Sequence, residues 1–188
     1  MTPIHVIVAI VGLTLGGAGG WTLARHLRHR GPSGAGRVRR ILLPFTGAAI
    51  SRRSLDAALR LARAENATLM PAFLATVPRH LALDAAIPLQ CALGMPVLEA
   101  IEQAATAADV PVDARVVRGR TYRHALERLL EHESVDRVIV PATGNPRDGL
   151  SGDDLVWLLQ RAPAEVLILR PGFGDPLRVT GDVVRGHF

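Results

Sequence analysis

The chain has 188 residues, of which 48% are hydrophobic and only 4% aromatic, so it has room for one domain of ordinary size and an apolar segment. Its net charge of +5 is local: residues 1–40 contain six Arg and no acidic residue, which leaves sixteen Arg against seventeen acidic residues elsewhere. A near-neutral domain with few aromatic side chains lacks the electrostatic and stacking features of nucleic-acid-binding proteins. We therefore expect no nucleic-acid partner. The single cysteine, Cys91, excludes an internal disulfide and any cysteine metal cluster.

The N-terminal region has the pattern of a membrane anchor. Residues 1–3 form a short uncharged end, and residues 4–24 contain no ionisable side chain except His5, which is long enough for a transmembrane helix. Arg25, Arg28 and Arg30 follow directly, and positive flanks stay in the cytoplasm. The predicted location is the inner (cytoplasmic) membrane, with the N-terminus outside and the domain in the cytoplasm. The alternative, a cleaved secretory signal, would need positive charge before the apolar run instead of after it.

Small residues line one face of the predicted transmembrane helix. Gly12, Gly16 and Gly20 recur at four-residue spacing, a pattern that allows close approach of a second helix in lipid. The bilayer and either a membrane-protein partner or a second copy of the chain are therefore the expected partners. Residues 25–38 form a basic, Gly-rich linker that can also contact anionic lipid headgroups.

Strand and helix patterns alternate after the linker. Apolar runs of five predicted strands cover residues 40–45, 68–76, 112–117, 137–140 and 165–170. Helical patterns follow Ser51, cover 96–108, surround Leu126 and cover 153–162, whereas Pro88, Gly94 and Pro96 are expected to break any long element near residues 79–94. This order predicts an α/β fold with a five-stranded, parallel, doubly wound sheet. The loops after Phe45 and Val140 are the expected ligand-binding loops.

Five segments carry a resemblance to a known family. They are ILLPFTG (41–47), SRRSLDAALRLA (51–62), VVRG (116–119), VDRVIV (135–140) and RAPAEVLILRP (161–171). In this order and spacing, they resemble the universal stress protein family over residues 39–171, with residues 172–188 as a tail. The resemblance implies the strand order 3-2-1-4-5. It also implies pairing of two copies through the last strand, which would make a dimer edge of Val166, Leu167, Ile168 and Leu169.

The nucleotide-binding motif of that family is eroded in this chain. ATP-binding members have an Asp after the first strand, a Gly-x-x-Gly turn after the fourth, and Gly-Ser or Gly-Thr at the start of the last helix. The matching positions are Thr46, Pro141, Gly144 and Gly152-Asp153. Pro141 has no N–H to offer a phosphate, and Asp153 with Asp154 would repel one. A shifted loop would let Ser151-Gly152 replace the Gly-Ser pair, so Thr46, Gly144, Ser151 and Gly152 are the candidate residues of a vestigial pocket.

These features favour a non-enzymatic protein. The histidines of the domain show no metal-ligand spacing, and no nucleophile-base grouping is apparent. The expected function is a membrane-anchored interaction or regulatory subunit that docks on a membrane transporter or larger membrane complex, with no cofactor. The alternatives are a membrane-tethered ATP or nucleotide sensor that uses the family pocket and a self-associating stress-response dimer.

Overall fold

The structure, a computed structural model, describes residues 39–141 and 150–170. All described residues belong to one unit of the chain, Arg37–Phe188. The predicted transmembrane helix, its glycine face, the Arg25, Arg28 and Arg30 flank, and the tail all lie outside the described residues. Within the two described ranges, no helix combines the length and apolar character needed to cross a membrane.

The described residues form an alternating series of strands and helices. In chain order these are β1 (Arg40–Phe45), α1 (Arg52–Ala64), β2 (Thr68–Thr76), α2 (Pro88–Ala107), β3 (Arg115–Gly119), α3 (Tyr122–His132), β4 (Arg137–Pro141), α4 (Gly152–Arg161) and β5 (Glu165–Leu169). All pairings in the sheet are parallel, and the strand order is β3-β2-β1-β4-β5. The predicted five-stranded, doubly wound sheet and its order are confirmed.

Helices cover both faces of the sheet, which explains why its central strands are continuous apolar runs. On one face, Ile41, Leu43 and Phe45 of β1 pack in a cluster with residues of α1 and α2. On the other face, Leu42 packs with residues of α3 and α4. These four β1 side chains are at most 4% exposed, so β1 is the centre of the hydrophobic core.

Helix α2 is longer than the sequence pattern predicts, because it continues through Gly94 and Pro96. Pro88 lies in the first turn, where its fixed φ favours the helix. Gly94 lies so close to β2 that an added Cβ would be 2.5 Å from ring atoms of Phe73. Pro96 removes one helical hydrogen bond, and burial of the following Val97, Leu98 and Ile101 offsets that loss.

The third strand also differs from its prediction. It begins at Arg115, whereas Val112 forms only an isolated bridge to Leu69. The apolar character of Val112 therefore reflects burial beside β2 instead of membership of a regular strand.

Ion pairs join the elements at the amino ends of the strands. Arg137 of β4 pairs with Glu65, which follows α1, and with Glu165 of β5. Arg40 of β1 pairs with Glu133 at 2.7 Å, and Glu133 also pairs with Arg115. The hydrogen bond from Arg137 holds the pKa of the Glu65 carboxyl below its ordinary value. These pairs stabilise the amino-terminal edge of the sheet, which lies opposite the predicted ligand-binding loops.

Candidate functional site

The strand order reverses between β1 and β4, which are adjacent in the sheet. From β1 the chain proceeds to β2 and β3 on one side, whereas β4 and β5 lie on the other. Ligands of open α/β sheets bind beyond the carboxyl ends of the strands at such a reversal. Thr46 follows β1 directly, and Pro141 ends β4, so the structure brings these two predicted positions to the same place.

Thr46 is buried without a hydrogen-bond partner for its hydroxyl. The residue is 4% exposed, and its Oγ1 bonds to no other atom of the described residues. An unsatisfied buried hydroxyl of this kind costs about 1–3 kcal/mol. The next residue, Gly47, has φ +73° and open space where a Cβ would lie. The turn after β1 therefore combines an unsatisfied polar group with a residue that leaves room beside it.

The N-terminus of α4 is closed by the side chains of its own first turn. Ser151 Oγ accepts a hydrogen bond from Asp154 N at 3.2 Å, and Asp154 Oδ2 accepts one from Ser151 N at 3.1 Å. The Ser151 hydroxyl also donates to Asp154 Oδ2 at 2.6 Å. This reciprocal arrangement is a capping box. The predicted pocket residue Ser151 is therefore the helix cap, and Gly152 is the first residue of the helix.

A neighbouring helix holds Asp154 in this position. Arg123 Nε of α3 donates to Asp154 Oδ1 at 2.9 Å, and the Arg123 guanidinium lies 6.0 Å from the centroid of the Trp157 ring. Burial raises the pKa of Asp154, but the hydrogen bonds from Ser151 and Arg123 outweigh that effect and leave its pKa below the ordinary value. Asp154 is consequently a carboxylate near neutral pH.

This helix start is unsuited to an anion. A phosphate at a helix N-terminus needs free backbone N–H groups and positive potential. Here the Asp154 carboxylate completes the capping box with Ser151, and exposed Asp153 adds a second negative charge. Gly144, the remaining candidate residue, lies outside the described residues. Of the four candidates, the structure describes Thr46, Ser151 and Gly152.

The described residues contain no group of His, Cys, Asp and Glu that could hold a metal ion. The two described histidines of α3 make local contacts: His124 Nδ1 accepts from Arg120 N at 3.1 Å, and His132 Nδ1 lies 2.7 Å from the Arg128 carbonyl oxygen. Both contacts serve the structure of β3 and α3.

Sequence reasoning missed two polar contacts beside the crevice. The Arg120 guanidinium donates to the carbonyls of Pro78 at 2.6 Å and Leu81 at 2.9 Å, which holds the loop after β2. The carboxamide of Gln90 bonds to the backbone of Thr76 at the end of β2. No sequence signal marks either contact, because each joins a side chain to backbone groups in another part of the chain.

Exposed apolar side chains lie at the β5 edge of the sheet, away from β3. Strand β5 is the outer strand on this side, and its predicted dimer-edge residues are half-buried except for Ile168, which is 39% exposed. On α4, Val156 is 52% exposed and Leu159 is 60% exposed. We call Val156, Leu159 and Ile168 the β5-side surface.

Together, the sheet and its crevice define a doubly wound α/β domain with a candidate ligand site where the strand order reverses. The family model for the universal stress protein family matches residues 37–170. The chain therefore belongs to the universal stress protein family, as the sequence resemblance predicted. No curated protein matches the chain significantly.

Several solved structures share this fold. A universal stress protein family member from Burkholderia pseudomallei is 24% identical, with a TM-score of 0.52 over 69% of this chain and 94% of that one. A universal stress protein in complex with cAMP is 22% identical, with a TM-score of 0.55 over 71% and 98%. A family member from Arabidopsis thaliana with AMP bound is 12% identical, with a TM-score of 0.53 over 72% and 93%. At these identities the likeness shows the fold alone.

Proposed function

We propose that this universal stress protein domain is a non-enzymatic interaction or regulatory subunit. Residues 4–24 anchor it in the inner membrane with the N-terminus outside, and the domain docks in the cytoplasm on a membrane transporter or larger membrane complex. The observation that carries the proposal is the closure of α4 by Ser151 and Asp154. Because side chains of the first turn already accept hydrogen bonds at this helix start, it is a poor site for the phosphates of a nucleoside triphosphate.

The β5-side surface supports a docking role. Its three apolar side chains are exposed on adjacent elements of the domain edge, and exposed apolar side chains grouped on one surface are typical of interaction sites. Strand β5 also offers an outer edge for strand pairing. The partner is a membrane protein in the leading proposal and a second copy of the chain in the alternative of a self-associating dimer.

The decisive experiment isolates the full-length chain from its native membrane in a gentle detergent and measures both the mass of the complex and its protein content. Leu159→Asp should disrupt the complex, because it places a charge in the β5-side surface. Gln160→Asp is the matched control, since Gln160 is exposed on the same helix. A strictly monomeric chain without a membrane-protein partner would refute the proposal, and so would a complex that Leu159→Asp leaves intact.

The membrane anchor is tested separately on the same material. Residues 4–24 should keep the chain in the membrane fraction after alkaline carbonate washing, and mass spectrometry should find an intact N-terminus. A chain released by carbonate, or one cleaved after the apolar segment, would contradict the anchor.

A membrane-tethered nucleotide sensor is the second candidate, and the unpartnered hydroxyl of Thr46 favours it. Two relatives of the same fold were solved with cAMP and with AMP. If the chain binds such ligands, ATP, AMP or cAMP should raise the melting temperature of the full-length protein in a saturable way. Thr46→Val, which keeps the side-chain shape and removes the hydroxyl, should abolish that shift. An unchanged melting temperature with all three nucleotides would eliminate this candidate.

A further inference from the structure

Helix α1 carries a stripe of positive charge on its outer side. It contains four arginines against one acidic residue, Asp56, whereas the other described residues hold eleven arginines against thirteen acidic residues. Arg52, Arg60 and Arg63 are exposed, and with about 3.6 residues per turn they lie within about 80° of one another around the helix. We call these three residues the α1 stripe. The positive charge of the described domain is thus concentrated on one helix.

The ion pairs of the fold do not use the α1 stripe. Among the described residues, none of its three guanidinium groups forms an ion pair, whereas arginines of β1, α3 and β4 do. The side of α1 that packs on the sheet is formed by other residues, among them Leu55, Leu59 and Ala62. The three cations are therefore not required by the packing of the domain and are accessible to an anionic surface.

The other helix on this face of the sheet adds exposed apolar side chains. Residues of α1 and α2 pack in the same core cluster on one face of the sheet, so the exposed side chains of both helices point away from that face. Leu89 is 83% exposed, and Leu93, one helical turn later, is 54% exposed. No charged residue occurs between Pro88 and Leu98. A helix that is apolar on its outer side as well as its inner side is typically covered by another apolar phase.

Cations together with exposed leucines fit the surface of an anionic bilayer. Guanidinium groups are attracted to the anionic headgroups, and leucines enter the boundary between headgroups and acyl chains. We propose that the α1–α2 side of the domain binds the anionic cytoplasmic leaflet of the membrane, through the α1 stripe and through Leu89 and Leu93. This inference rests on the membrane anchor proposed above and adds the orientation of the domain on the bilayer.

The connection to the proposed anchor brings this side of the domain within reach of the headgroups. Arg39, the first described residue, pairs with Glu65 directly after α1 at 3.3 Å, so α1 ends beside the point where residues 25–38 join the domain. Fourteen residues span at most about 50 Å, so an anchored domain stays near the bilayer whichever side faces it. The opposite helical layer is a poorer match for anionic lipid, because α3 exposes Glu127 and Glu131 there.

The test places a fluorophore on either side of the domain in full-length protein reconstituted in lipid nanodiscs. In a Cys91→Ser background, the fluorophore is attached at Ala92→Cys, on the exposed side of α2, or at Glu131→Cys, on α3. Lipids with a doxyl quencher near the headgroup report contact with the bilayer. With phosphatidylglycerol in the discs, the Ala92 probe should be quenched and the Glu131 probe should not. With phosphatidylcholine alone, or in high salt, the quenching at Ala92 should disappear.

Charge substitutions test the α1 stripe. Each arginine beside an anionic surface favours the bound state about fivefold, so Arg60→Gln combined with Arg63→Gln should lower the ratio of bound to free domain about 25-fold. Arg161→Gln combined with Arg170→Gln is the matched control, because it removes the same charge from exposed positions at the ends of α4 and β5. The control should leave the quenching unchanged.

Leucine substitutions test the apolar part and separate this inference from the docking proposal. Leu89→Asp should reduce the quenching, whereas Leu159→Asp, in the β5-side surface, should leave it unchanged. A chain that does not enter the discs would overturn the anchor and this inference together. A disc-bound chain would overturn this inference alone if its two probes were quenched equally, if its Ala92 probe were quenched without phosphatidylglycerol, or if the control variants had the same effect as the α1 and α2 variants.

Discussion

Replacing Gly119 by Ala should destabilise the domain strongly, although it adds only one methyl group. Gly119 ends β3, and an added Cβ would lie 2.3 Å from the backbone N of Ala125 and 2.7 Å from its Cα. Carbon contacts are favourable near about 3.5 Å, so α3 would have to move by about 1 Å. That helix cannot move freely, because Ala125 and Leu126 are fully buried.

The expected magnitude follows from the cost of overpacking. Inserted methyl groups in a well-packed interior cost about 1–3 kcal/mol, and a contact with rigid backbone belongs at the upper end. A domain of about 130 residues has an unfolding entropy near about 280 cal/mol/K, so each kcal/mol lowers the melting temperature by about 3.5 °C. We therefore expect a decrease of about 7–11 °C for Gly119→Ala.

The assay is thermal unfolding of the full-length protein followed by far-ultraviolet circular dichroism, with urea unfolding as a second measure. Gly152→Ala is the matched control, because an added Cβ at this first residue of α4 meets nothing within 4 Å. The control should melt within about 2 °C of the unmodified protein. A melting temperature for Gly119→Ala within the same margin would show that the close contact between β3 and α3 is not rigid.

Three further predictions concern polar groups. Ser151→Ala should lower the free energy of unfolding by about 1 kcal/mol in urea titrations, because it removes the α4 cap; an unchanged midpoint would contradict the capping box. The pKa of Glu65 is lower in the folded state than its ordinary value of 4.5, so ionised Glu65 stabilises the fold above that pH. This stabilisation is lost as the pH falls through the folded-state pKa. The stability difference between the unmodified chain and Glu65→Gln should therefore be larger at pH 7 than at pH 3, and a constant difference would be inconsistent with the Arg137 pair. Thr46→Val should leave stability unchanged or raise it by up to about 1 kcal/mol, because it removes an unsatisfied buried hydroxyl; a clear loss would reveal a partner for that hydroxyl.

The sheet could be predicted well because its strands have a strong local signal. Strands β1 and β2 are mainly apolar, and the structure gives both the bounds that the sequence predicts. Ser51, which the predicted helix follows, caps α1, and its side chain accepts from Ser54 N at 3.4 Å. In each case, the residues that determine the element lie within it or next to it in the chain.

Helix α2 and the crevice could not be predicted in the same way. Gly94 and Pro96 have the local signal of helix breakers, but the position of Phe73 and the burial of Ile101 favour a continuous helix. The Gln90 contact with Thr76 likewise depends on how α2 lies across β2. The sequence shows that Asp154 stands at the start of α4, whereas the support from Arg123 is a tertiary contact without a local pattern.

The place of β1 in the sheet has a mechanical consequence. It is the first strand of the described residues, and it is hydrogen-bonded to β2 on one side and β4 on the other. A pull on the N-terminal segment would load β1 along its length, so its bonds to both neighbours would resist in shear and share the force instead of opening one at a time. In the proposed membrane-anchored chain, tension applied at residue 39 would reach the domain through β1 while the sheet remains intact.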